Sequence, residues 1–160
     1  MTADEYARWT WTALDVRRPG DIPGATPLPR LIEKHTEHAD RLINNNLLAD
    51  YPHPVERGSA GDALAVLALR ERIRRDIEHG RGYEIRQALL LGATWSQVSA
   101  ALDVPVDEAR ALLRAYADGQ HNLYRGDVDS GRARPLGFSP EQHAAVLALV
   151  ELGDDEAAGV

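Results

Sequence analysis

From Arg30 to Glu151 apolar residues recur at spacings of three and four, with no pair of alternating apolar and polar runs. That period marks amphipathic helices and leaves no convincing strand pair, so the expected class is all-α. Leu31, Ile32, His35, Ala39, Leu42 and Ile43 trace a first long helix over about 30–49. Asn44-Asn45-Asn46 weakens its end, and Pro52 and Pro54 stop it. Val66, Leu69, Ile73 and Ile77 trace a second helix, opened by Ser59 or Asp62. His79-Gly80-Arg81-Gly82 is expected to end it through a left-handed glycine cap. A short helix from Tyr83 to Leu91 follows, broken at Gly92. Thr94 caps Trp95 to Leu102, Asp103-Val104-Pro105 is a turn, and Val106 begins a helix reaching about Tyr124. A polar loop is expected over 126–137. Ser139-Pro140-Glu141-Gln142 then opens the last helix, with a serine cap and proline at the first helical position.

Residues 1–29 read as an extended arm and linker. Trp9 and Trp11 share a face if the arm is extended; Tyr6, Trp9 and Ala13 line up if it is helical. Either way the indoles anchor the arm onto the core, stack on bases or meet a partner. Four prolines and two glycines between Arg18 and Pro29 exclude a helix or central strand. The expected organisation is therefore an arm over 1–29, one compact helical domain over 30–152 and an acidic, frayed tail over 153–160.

The segment from Leu89 to Leu113 has the most specific shape. Trp95, Val98 and Leu102 fall on one helical face, and Ser99 and Ala100 are small enough for a second helix to cross closely. A three-residue turn follows, and Ala109, Leu112 and Leu113 give the next helix a matching apolar face. Two short helices, a tight turn and small residues at the crossing describe a helix-turn-helix, here over 94–117. Gly92, Ala93, Thr94, Trp95, Val98, Ala101, Leu102 and Val104 together resemble the "Gly-Ala-Thr-Trp … Val … Ala-Leu … Val" segment of small bacterial helix-turn-helix proteins of the regulator and mobile-element type. The resemblance covers about residues 89–117. Ser99 stands where that family usually has alanine, Asp103 where it has glycine, and Pro105 where a serine or threonine is common. Aspartate tolerates the left-handed conformation expected at 103 better than most residues.

The resemblance implies duplex DNA as partner, with the helix from Val106 as the reading element. Its candidate contacts are Thr94, Ser96, Gln97, Asp107, Glu108, Arg110 and Arg114. Arg110 and Arg114 lie one turn apart; the alternative for them is local pairing with Asp107 and Asp118. Asp107 and Glu108 suit a helix N-terminus through its dipole, yet they repel phosphate. Arg72, Arg74, Arg75, Arg81 and Arg86 would flank a duplex or simply solvate a helix face. Arg125, Arg132 and Arg134 would form a basic wing, diluted by Asp127 and Asp129.

Composition bounds the rest. The 160 residues carry 18 Lys and Arg against 25 Asp and Glu, a net charge of −7, so a basic surface can only be local. Lys34 is the single lysine, and arginine with abundant alanine is the usage of a GC-rich genome. No cysteine is present, which excludes disulfides, cysteine-bound zinc and thiol catalysis. No apolar run approaches the roughly 20 residues that span a bilayer, and the N-terminus lacks a secretory layout, so no membrane role and a cytoplasmic site are expected. His35 and His38 sit one turn apart without a third ligand of matched spacing. Ser96, Ser99, Ser130 and Ser139 lack a nucleophile elbow, and no phosphate-binding glycine loop is present. The expectation is a DNA-binding protein without cofactor, metal or catalytic residues, forming a homodimer through the first long helix. The alternative is a protein-docking module of the same fold.

Overall fold

A computed structural model of the chain describes residues 15–159. Trp9 and Trp11 lie outside the described residues. Within them the protein is all-α. Five helices run in order: α1 Leu28–Asn44, α2 Ala60–Leu90, α3 Trp95–Leu102, α4 Val106–Asp129 and α5 Pro140–Val150. No strand occurs among the described residues. The chain forms two compact units that divide between Glu78 and His79, inside α2. The helical domain expected over 30–152 spans both.

The N-terminal unit buries Val16, Ile22, Leu31, Ala65, Ala68 and Leu69, with Ile73 packed against them. The Pro-rich segment forms a short 3-10 turn, Pro19–Asp21, and a turn closed by the Thr26 amide on the Pro23 carbonyl at 3.1 Å. Against the expectation of no helix there, its last residues Leu28 and Pro29 open α1, whose first turn tolerates proline. Ile22 just after it is core, and Arg72 of α2 donates to the carbonyls of Ile22 and Gly24, at 3.2 and 2.9 Å. α1 begins two residues earlier than the period suggests and ends sooner, at Asn44. Beyond that end Asn45 Nδ2 donates to the Gly58 carbonyl at 3.0 Å, and Arg57 takes the carbonyls of Asn44, Leu47 and Leu48. α2 opens on a reciprocal pair: the Ser59 amide donates to Asp62 Oδ2 at 2.8 Å, and the Asp62 amide reaches Ser59 Oγ at 3.4 Å. His38 Nδ1 and Arg41 Nε both meet Asp62 Oδ1, at 2.8 and 2.7 Å. Those contacts, the Ser59 amide first and His38 next, hold the Asp62 carboxyl well below the ordinary aspartate range.

The expected break at 79–82 does not occur; α2 runs through it. Neither Gly80 nor Gly82 takes a positive φ. Gly82 serves packing instead, because a Cβ there would lie 2.2 Å from the Cβ of Tyr116 in α4. The C-terminal unit buries Ile85, Leu89, Trp95, Val98, Ala109, Leu113, Ala117, Val146 and Val150, drawn from the end of α2 and from α3, α4 and α5. α4 is longer than expected and passes through Gly126 to Asp129. The loop before α5 is fixed at Gly137, where φ is +81° and a Cβ would lie 2.1 Å from the Gln120 carbonyl oxygen. Only glycine lets the chain pass there.

Candidate functional site

The site built by α3, the turn and α4 follows from local chemistry at each joint. α2 closes on Gly92 with φ +96°, and the amides of Gly92 and Ala93 return to the carbonyls of Leu89 and Ala88, each at 3.0 Å. That is the paired closure of a left-handed helix end. Thr94 then caps α3. Its Oγ1 accepts from the Gln97 amide at 3.3 Å, and Gln97 Oε1 accepts from the Thr94 amide at 3.0 Å. Asp103, at φ 53° and ψ 44°, is the one non-glycine residue of positive φ among the described residues. The left-handed expectation at 103 is met by an aspartate. Its amide and that of Val104 return to Ala100 and Ser99, at 3.3 and 3.2 Å, and Ser99 Oγ donates to the Val104 carbonyl. Three residues thus separate α3 from α4.

Trp95 is the keystone of the core, with no exposed surface. Its indole Nε1 donates to the Leu149 carbonyl at 2.9 Å, and the Arg110 guanidinium lies over its ring, 5.3 Å from the centroid. Arg110 also donates to the Val150 carbonyl and, at 2.7 Å, to Asp154 Oδ1. Arg114 donates to Glu151 Oε1 at 2.9 Å. Neither local pairing envisaged for these arginines forms: Asp118 meets His143 Nε2 at 2.8 Å instead. The partners come from α5 and the segment after it, about 40 residues downstream, which no helical spacing reveals. Part of the tail expected to fray is also held. The Ser96 amide donates to the Asp154 carbonyl at 2.9 Å, and Gly153 and Glu156 close a small turn on each other.

Of the seven candidate contacts, Thr94 and Gln97 are engaged in the α3 cap, and Ser96 is tied by its amide to Asp154. Asp107 and Glu108 are exposed in the first turn of α4, followed on that surface by exposed Ala111 and Ala115. The arginines of the preceding segment part company. Arg74 and Arg75 pair with Glu71, which lowers the Glu71 carboxyl to about 2, and Arg86 lies over the Phe138 ring at 5.3 Å. Arg132 reaches Asp127 at 3.4 Å. His35 accepts from Arg70 Nε at 2.9 Å; burial first, and then Arg70, lowers its proton affinity. Among the described residues no group of three or more His, Asp or Glu could hold a metal ion. No helix among them is long and apolar enough to cross a membrane.

Two features escaped the sequence reading. A groove of about 490 Å³ opens between the end of α2 and α3, floored by Ile85, Ala88, Val98 and Leu102 and edged by Arg81, Glu84 and Gln97. Its apolar residues read only as core positions in sequence. His121 of α4 also stacks on His143 of α5, with centroids 4.6 Å apart. Their separation of 22 residues carries no local period.

No known protein family, curated protein or solved structure matches the chain.

Proposed function

We propose that the C-terminal unit is a helix-turn-helix module that binds duplex DNA, with α4 as the element presented to the groove and α3 bracing it. The observation that carries this reading is the joint at Asp103: a capped eight-residue helix, a left-handed turn of three residues and a second helix whose first turn exposes Asp107 and Glu108. A short helix and tight turn of this kind leave the leading end of the second helix clear to enter a major groove. Arg110 and Arg114 supply its positive charge, and carboxylates such as Asp107 and Glu108 accept from cytosine N4 at a base edge. A transcriptional regulator or mobile-element accessory factor in the cytoplasm is the role this implies. The same reading takes the protein as a homodimer through α1, supported by the exposure of Leu28, Ile32 and Ile43 on that helix. Light scattering at micromolar concentration checks the dimer.

Fluorescence anisotropy with pooled duplex fragments, at low and high salt, tests DNA binding. Saturable binding that weakens as salt rises, and weakens further in Arg110→Ala/Arg114→Ala, is the expected result. No binding at low salt overturns it.

A second reading, a protein-docking module of the same architecture, is favoured by one observation. Residues 79–160 carry seven arginines, no lysine and twelve carboxylates, a net charge of −5. Phosphate binding falls steeply with salt, whereas an apolar protein contact need not. A partner captured in high salt, with no DNA bound in low salt, selects this reading.

A further inference from the structure

We propose that the segment Glu151–Glu156 is an autoinhibitory latch, which holds Arg110 and Arg114 of α4 away from phosphate and must be displaced before the helix engages DNA. This rests on the DNA-binding reading above. Arg110 and Arg114 are the cations of α4 up to Asp118, and each has a carboxylate of the same downstream segment as partner, Asp154 and Glu151 respectively. The latch is built rather than incidental. Its backbone is fastened at both sides of Asp154: Ser96 of α3 donates its amide to the Asp154 carbonyl, and Gly153 and Glu156 hydrogen-bond each other across it. Arg110 is itself fixed in orientation by the Val150 carbonyl and the Trp95 ring, so that its remaining NH2 edge faces Asp154.

The latch is also releasable. The Asp154 and Glu151 side chains are 61% and 74% exposed and Arg114 is 52% exposed, while Arg110 is 19% exposed. The Arg114–Glu151 pair, open to water on both sides, is weak, and the exposed Asp154 carboxylate is the side of the other pair that yields to a denser array of negative charge. Duplex DNA is such an array, and each arginine transferred to a phosphate releases a condensed counterion. The strongly negative charge of the unit then has a physical role: it sets a threshold that stray nucleic acid does not pass and a high-affinity site does.

The test compares duplex affinity of the parent with Glu151→Gln/Asp154→Asn and with a charge-matched control, Glu141→Gln/Asp155→Asn, whose carboxylates pair with neither arginine. The latch variant is expected to bind about three- to tenfold tighter than the control. Its salt dependence is expected to steepen by about two phosphate contacts. Glu151→Gln alone frees Arg114 without touching the Asp154 anchor, and it keeps the test valid if the double variant unfolds. Equal affinity of latch variant and control, with the parent binding DNA, overturns the latch and leaves the DNA reading standing. No binding by any of the three at low salt overturns both.

Discussion

The α-carbon of Gly82 faces Tyr116 so closely that a Cβ on the glycine would sit 2.2 Å from the Cβ of the tyrosine. The two helices therefore meet backbone against ring at that point. Gly82→Ala is expected to destabilise the protein. Overpacking costs about 1–3 kcal/mol, which outweighs the roughly 1 kcal/mol that alanine gains over glycine in a helix. Gly80 has nothing within 4 Å of its added Cβ, so Gly80→Ala is expected to stabilise by about 0.5–1 kcal/mol. Urea unfolding of both variants checks the contrast, and equal shifts would show that Gly82 carries no contact.

Asp103 holds a left-handed conformation that costs an ordinary L-residue roughly 1–2 kcal/mol. Asp103→Val is expected to lose about that much, because a β-branched side chain fits the region worst. Asp103→Gly is expected to match or exceed the parent. Thermal melts of the pair decide whether the turn depends on its dihedral angles or on the carboxylate.

Trp95→Phe removes the indole donor to Leu149 and part of the surface beneath Arg110. The expected loss is about 2–3 kcal/mol, from a partly filled cavity and an orphaned carbonyl. Chemical denaturation followed by circular dichroism measures it without relying on the other tryptophans.

Asp62 gives the N-terminal unit an acid limit. Its folded carboxyl titrates below the ordinary aspartate value of 3.8. The folded state therefore binds fewer protons than the unfolded state in that range, and stability falls with falling pH there. The contribution is complete above about pH 5 and disappears as pH drops through 3.8 towards the folded value. Asp62→Asn is expected to be less stable at pH 7 and to show a flatter acid limb between pH 5 and 2. Stability measured by urea titration across that range checks the sign.

What the sequence made legible was local. Thr94, Gly92, Asp103 and Ser139 each act on backbone groups within five residues, so their roles follow from residue type and position. Gly80 and Gly82 show the limit of that reasoning. A glycine stop and a glycine contact look alike until the opposing helix is known, and Tyr116 is 34 residues further on. A separation of 44 residues likewise hid Asp154 from Arg110. Charge spacing along one helix pointed to Asp107, whereas the fold returned a carboxylate from beyond α5.

The unbroken course of α2 bears on how such a chain can be divided. In an α-helix the amides of residues 79–82 bond back to the carbonyls of 75–78. A cut between Glu78 and His79 would strip both fragments of those bonds and leave each with a raw helical end. A fragment begun near Ser59 would keep the helix whole but carry Ala65, Ala68 and Leu69, apolar side chains belonging to the other core. Either division therefore carries a cost, in helical hydrogen bonds or in apolar surface left without its core.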